Sequence, residues 1–374
     1  MPLFDGEQLD TIGRHPVLHK YSPANDAFKP LIAFIPGMAH NARISYGGHQ
    51  NSRNEDFLSY WFNHHGYGFL GISYPIDAEQ PIMPATSPDF TIPEWGQQAA
   101  AIINKVITEH NLARKVVILA WSMAGKILHP VTVQTRRLGI EVELFVSLAA
   151  TPALPGIQPV VSKGDLVKTP AGYATKPELE TRFLEQLYEQ IYLNRDEYGW
   201  IAPMFHADTY KRDYLGATPI GLTASGLHYD SDTSDFVEDD QLQFLKDGQA
   251  HDFQNLPWMA AIYPTSHLDF RHALTDKATW GYLMVQRATS KLISDGISNV
   301  CHNGGHLELE FSELQKAILR IPDLMTMDIH GTHFFFVGAE GARKTVESVV
   351  KLLDNLASID KNINHKLTLL QGSR

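Results

Sequence analysis

Only one of the 374 residues is a cysteine, Cys301, so no internal disulfide framework is available to the chain. Positive charge is also scarce. Against 42 acidic side chains stand 31 Lys and Arg, a formal net charge of −11, which argues against nucleic acid or an anionic membrane as partner, since both want basic patches. No apolar run approaches the ~20 residues of a membrane helix. The start, Met1-Pro2-Leu3-Phe4-Asp5-Gly6, lacks the basic stretch and apolar core of a secretory signal. Internal repeats and low-complexity tracts are missing as well. These absences predict a soluble, cytoplasmic protein with neither nucleic acid nor membrane as partner; its oligomeric state is not readable. At 44% hydrophobic and 20% charged residues the balance is that of an ordinary globular chain, long enough for one large domain or two modest ones.

What is present begins with Lys115-Val116-Val117-Ile118-Leu119-Ala120-Trp121-Ser122-Met123-Ala124-Gly125. A short apolar run rises into a serine with alanine two residues away on either side. That pattern predicts a strand, a sharp turn with Ser122 at its apex, and the start of a helix. Strained backbone at such a turn admits only small neighbours, and a helix start points free N–H groups at any negative charge that develops nearby. Pro130 should shorten or kink the helix that follows.

Ala120-Trp121-Ser122-Met123-Ala124 resembles the nucleophile elbow of the α/β-hydrolases, Gly-x-Ser-x-Gly, with both glycines replaced by alanine. The rest of the chain has a compatible order. Buried-type strands are expected over 31–35, 69–74, 115–121, 142–148, 258–263 and 324–329, with helical stretches over 54–65, 97–110, 311–319 and 344–356, an alternation that argues for a mostly parallel sheet covered on both faces. Between 154 and 254 this rhythm is lost, apart from a helical stretch over 176–193. The resemblance implies an α/β, doubly wound, mostly parallel sheet with an inserted helical cap. The core would span 1–152 and 255–374 and the cap 153–254, with a boundary that could extend to about 295.

Acyl transfer through serine needs a base for its proton, an acid to orient that base, and donors for the oxyanion. The family's chain order is nucleophile, acid, histidine. Residues 323–333 read as a strand, the turn residue Gly331 and then His333, followed by an amphipathic helix, which resembles the last strand and catalytic histidine loop of the family. His330, at the strand end, and His306, after Gly304-Gly305, are rivals for the base. Asp269, on the loop leaving the strand 258–263, is the expected acid, and Glu308 is its competitor. The resemblance places one oxyanion donor at the backbone N–H of Met123 and the other at Met38, in Pro36-Gly37-Met38-Ala39-His40. Trp121, beside the nucleophile, is grouped with them on the substrate side. Gly37 would allow close backbone approach.

The implied activity is cofactor-independent hydrolysis of an ester, lactone or thioester. An acyltransferase on the same fold, or a binding protein that has lost the chemistry, are the alternatives. No metal is expected. His302 and His306 have helical zinc spacing, but Asn303-Gly304-Gly305 breaks a helix between them, and neither His64/His65 nor His267/His272 has ligand company. Residues 338–345 approach a phosphate-binding loop but have Arg343 where glycine must precede Lys344. The acidic run 230–235 lacks the glycine of a calcium loop. Tyr173, Phe183, Tyr188, Tyr192, Trp200 and Phe205 could line an acyl pocket or simply pack the inserted region.

Overall fold

A computed structural model describes residues 3–157, 163–198, 206–223, 226–238, 242–298 and 308–372. Eight strands join in one sheet: β1 (Glu7–Ile12), β2 (His15–Ser22), β3 (Leu31–Ile35), β4 (Phe69–Ser73), β5 (Lys115–Trp121), β6 (Glu141–Leu148), β7 (Met259–Pro264) and β8 (Thr326–Ile329). Their order across the sheet is β1-β2-β4-β3-β5-β6-β7-β8. The two pairings of β2 are antiparallel and all the others parallel. This is the doubly wound, mostly parallel sheet expected from the resemblance. Every residue of β3 and β4, and all of β5 after Lys115, is buried, as apolar runs must be in strands covered on both faces.

The covering helices are α1 (Leu58–His64), α2 (Ile92–Glu109), α3 (Leu128–Arg137), α4 (Pro177–Tyr198), α5 (Ala207–Tyr214), α6 (Gln243–Gly248), α7 (Phe270–Ser294), α8 (Glu308–Leu319), α9 (Ile321–Met325) and α10 (Ala339–Gly372). α2 starts earlier than its apolar spacing suggests, because Thr91 and Glu94 form a reciprocal capping box. α10 runs well past 356, with Val346, Val349, Leu352, Leu356, Ile359, Ile363, Leu367 and Leu370 keeping one buried stripe at helical spacing. No helix among the described residues is long and apolar enough to cross a membrane.

Two expectations need correcting, and one pair of strands leaves no mark in the sequence. The β1–β2 hairpin, turned at Gly13-Arg14, is not legible as strands because β1 has no apolar alternation to display: its neighbours Gln8 and Leu9 are both exposed and Glu7 is buried. The run expected as a strand from 324 winds first as α9, with Pro322 in its first turn, and only Thr326–Ile329 extends. Pro130 does not interrupt α3, although the α-helix begins late. A six-residue 3-10 turn, Ser122–Ile127, follows the elbow, and α3 begins at Leu128, so the proline sits in a first turn where its missing N–H costs little. Gly96 of α2 makes room there, since a Cβ on it would stand 2.5 Å from that of Pro130.

Residues between β6 and β7 fold as α4, α5 and α6 with two short antiparallel pairs, Val167–Lys168 with Ala174–Thr175 and Leu227–Asp230 with Asp235–Glu238. The acidic run turns the second pair, and Asp235 is held by Lys163 and Lys168. α7, which follows β7, lies on the sheet: its Trp280 stacks on Phe145 of β6 with ring centroids 5.9 Å apart and donates to the Ala150 carbonyl at 2.9 Å.

Candidate active site

β5 ends at Trp121, and Ser122 takes the left-handed backbone, φ +55°. A non-glycine residue rarely holds that conformation unless its surroundings over-determine it. Here they do. The Ser122 carbonyl accepts from Thr151 N–H at 2.9 Å, Ala120 and Ala124 are fully buried, and a Cβ on Gly125 would meet the Thr151 carbonyl at 2.7 Å. The alanines thus fit the turn, while the glycine that close packing requires stands one position later.

Two loops meet beside this turn. The one after β7 carries Asp269, the other after β8 carries His333, and Ser266 N–H donates to Gly331 C=O between them at 2.9 Å. His333 Nδ1 and Asp269 Oδ2 lie 2.6 Å apart, with both residues under 10% exposed. Burial alone would raise the Asp269 carboxyl. The charge and hydrogen bond of His333, with His272 and Arg271 further off, outweigh it and bring the group down to about 2. Trp121 joins the loops to the elbow: its indole N–H donates to the His333 carbonyl at 3.1 Å, and the two rings sit 5.2 Å apart. At 1% exposure Trp121 is a wall of the site and offers no face to a ligand.

α4 clamps both loops. Gln186 Nε2 donates to the Leu268 carbonyl at 2.9 Å, and Gln190 Oε1 accepts from Thr332 N–H at 2.8 Å. Gly331 is needed there, since a Cβ would come within 2.4 Å of that Gln190 oxygen.

On the opposite flank, Gly37 lies against the serine. A Cβ on it would stand 2.6 Å from Ser122 Cβ and 3.2 Å from its Oγ. The next peptide groups are tied down by His40, which is fully buried. Its Nδ1–H donates to the Met38 carbonyl at 2.9 Å, and its Nε2 accepts from the Tyr210 hydroxyl at 2.6 Å. Burial drops this imidazole to about 3, so it stays neutral and keeps that tautomer. Among the described residues nothing accepts from the Met38 N–H. Met123, at the start of the 3-10 turn, presents a second N–H of the kind that helix starts leave unpaired. A cavity of about 250 Å³ opens beside this loop, lined by Met38, Ala39, Asp77, Lys176, Glu180 and Phe183 among others. Of two larger hollows, of about 490 and 510 Å³, the first is lined in part by Gln186 and Leu268, and neither includes Ser122, Met38, Asp269 or His333.

Of the other candidates, Glu308 is exposed at the first position of α8, and His330 is exposed with its Nδ1 3.1 Å from Thr265 Oγ1. His302, His306, Trp200 and Phe205 lie outside the described residues. Tyr173 is buried, Phe183 packs on His40 with centroids 4.9 Å apart, and Tyr188 and Tyr192 are exposed.

Sequence reasoning missed Arg271 and Asp276, and it set His272 aside for want of ligand company that the fold supplies. His272 Nδ1–H donates to Asp276 at 2.9 Å, and its Nε2 accepts from Arg271, which also donates to Thr151 Oγ1. The signal was a His and an Asp four apart on a helix. Asp269, His272 and His333 offer ligand atoms within 4.8 Å of one another. They do not fit a metal: both nitrogens of His272 are engaged, Asp269 is engaged by His333, and the Arg271 guanidinium opposes a cation.

No family model matches the chain, and no curated protein matches it. Solved structures are similar in chain path. They include a monoglyceride lipase from Saccharomyces cerevisiae (8% identity, 97% of this chain and 96% of that one, TM-score 0.47). A thermophilic esterase from Thermogutta terrifontis is another (9%, 94% and 98%, 0.44). So is the thioesterase domain of a curacin biosynthetic pathway (10%, 92% and 98%, 0.44).

Proposed function

We propose that this protein is a cofactor-independent serine hydrolase that cleaves a small-molecule carboxylic ester, lactone or thioester through an acyl-enzyme on Ser122. The observation that carries the reading is the buried 2.6 Å contact of His333 Nδ1 with Asp269, beside a serine in left-handed backbone. With Nδ1 committed as donor to a carboxylate ionised down to about pH 2, Nε2 of His333 is left with the lone pair a general base needs.

Ser122 Oγ attacks the substrate carbonyl as His333 Nε2 takes its proton, and the oxyanion is bound by the N–H groups of Met38 and Met123. Collapse of the tetrahedral intermediate expels the alcohol or thiol, protonated by the same nitrogen. Water then attacks the acyl-enzyme, again giving its proton to His333, and returns the free serine and a carboxylic acid. The region 153–254 acts as the cap, and the cavity beside Met38 would take one arm of the substrate.

Labelling with a fluorophosphonate at neutral pH, with peptide mapping and a His333→Ala control, tests this. Stoichiometric adduct on Ser122 that collapses in the control is expected, and Ser122→Ala should lower turnover of p-nitrophenyl butyrate by about 10⁴–10⁶-fold. A folded wild-type protein that leaves both reagents untouched sinks the reading in favour of a binding protein.

A further inference from the structure

The Met38 N–H belongs to the peptide whose carbonyl is that of Gly37, so whatever holds that oxygen also aims the N–H. The Tyr74 hydroxyl donates to it at 2.7 Å. Tyr74 Oη lies 3.2 Å from Thr218 Oγ1, and Thr218 Oγ1 accepts from the Ala39 N–H at 2.8 Å. Both side chains are fully buried. The tyrosine has only one proton and gives it to Gly37, so Thr218 donates to Tyr74. Each hydroxyl then donates once and accepts once. The chain leaves the loop at Ala39 N–H, passes through Thr218 and Tyr74, and returns to it at Gly37 C=O.

Thr218 is itself fixed by backbone. Residues 215–218, part of the region between β6 and β7, are stitched to the core: Gly216 N–H donates to Ala39 C=O at 3.0 Å, and Ala217 exchanges hydrogen bonds with Asp77 at 2.7 and 3.1 Å. On its other side Thr218 exchanges two more with Ala174. Gly216 permits this approach, since a Cβ there would meet the Asp77 carbonyl at 2.9 Å.

We propose that Tyr74 and Thr218 are positioning residues for the oxyanion site: their hydroxyl relay sets the plane of the Gly37–Met38 peptide and polarises it, so that the inserted region, through Thr218, controls how well Met38 N–H binds a tetrahedral anion. An amide whose oxygen accepts a hydrogen bond is a stronger donor at its nitrogen. The donor is useful only in the transition state, so its misplacement should appear in kcat and leave KM alone. Burial pushes the Tyr74 phenol well above its ordinary value, so it keeps its proton wherever the protein is folded. This inference rests on the hydrolase reading above.

The test is a cycle of Tyr74→Phe, Thr218→Val and the double variant, with Thr218→Ser as the conservative control. Each is measured for kcat and KM on p-nitrophenyl butyrate and for affinity toward a trifluoromethyl ketone, which forms a tetrahedral adduct on the serine. Loss of one well-placed donor in other enzymes costs ~10²–10³-fold, and a donor tilted but still present should lose less, about 10- to 100-fold. The expected pattern is that loss in kcat with KM within threefold, the same loss in ketone affinity, a double variant no worse than Tyr74→Phe, and recovery in Thr218→Ser. Should Tyr74→Phe fail to fold, the Thr218→Val and Thr218→Ser pair decides. Wild-type kcat in the variants, losses that multiply, or no recovery with serine would overturn the positioning role. Those results would leave the hydrolase reading standing, because it fails only if wild-type Ser122 neither labels nor turns over.

Discussion

The two flanks of Ser122 are built from different materials. On one, ionisable side chains meet: His333 on Asp269, with Arg271, His272 and Asp276 behind them. On the other, the groups are peptide units, held by neutral partners such as His40, Tyr74 and Thr218. In the proposed reaction the first flank would move a proton, so it needs groups whose charge can change. The second would receive a transient anion, so it needs dipoles already in place and unable to relax. The segment between β6 and β7 braces both, with Gln186 and Gln190 on the side-chain flank and Thr218 on the backbone flank. The proposed cap and the assembly of the site therefore share one piece of chain.

The sharpest way to break the side-chain flank is to remove the charge of Asp269 without changing its shape. Asp269→Asn should lower kcat on p-nitrophenyl butyrate by about 10⁴-fold, because an amide no longer fixes the imidazole tautomer or stabilises its cation. Glu308→Gln, on an exposed helix start, should leave the rate within twofold. A large effect of Glu308 with a small one of Asp269 would reverse the assignment of the acid.

Legibility divides along the same line. Ser122, His333 and Asp269 could be named as candidates because each stands where an apolar strand breaks into a turn, and strand ends are visible as changes of pattern. The acid stayed open between Asp269 and Glu308, since sequence does not say which loops touch; the Ser266 to Gly331 hydrogen bond does that in three dimensions. Gly37 was readable as a glycine beside a strand end. Tyr74, Thr218, Gln186 and Gln190 were not, because they act on backbone carbonyls and amides, and a peptide group as partner imposes no residue type that a pattern could display. The fold was legible where strands are fully buried. It was not in β1, where the neighbours Gln8 and Leu9 are both exposed, or in α9, where a proline starts a turn inside an apolar run.

A smaller effect is expected from crowding the backbone flank. Gly37→Ala would place a Cβ 2.6 Å from that of Ser122 and 3.2 Å from its Oγ, so either the loop or the serine must move. Since displacing one oxyanion donor costs ~10²–10³-fold, kcat should fall in that range while the fluorophosphonate-reactive fraction stays complete. Equal losses from Gly37→Ala and Asp269→Asn would mean that the flanks do not differ as their chemistry says.

The smallest effect on rate, and the largest on stability, should come from Lys126, four residues past Ser122. It is 4% exposed, and its ammonium donates to the Thr223 carbonyl at 2.5 Å. Burial, and then the charge of Arg271, pull it from the usual lysine range down to about 7. In the unfolded chain the same group titrates near 10.4. Between those values the unfolded chain holds a proton that the folded chain has shed, so folding stability rises with pH through this window, and the penalty is complete below about 7. Each unit of the shift is worth about 1.4 kcal/mol, against about 1 kcal/mol for the hydrogen bond that is lost. Lys126→Met should therefore be more stable than wild type at pH 6.5, with the advantage closing toward pH 10, and with kcat unchanged. Denaturant unfolding of both proteins at pH 6.5 and 9.5 reads this out directly. Parallel pH slopes would show instead that the lysine keeps its charge when folded.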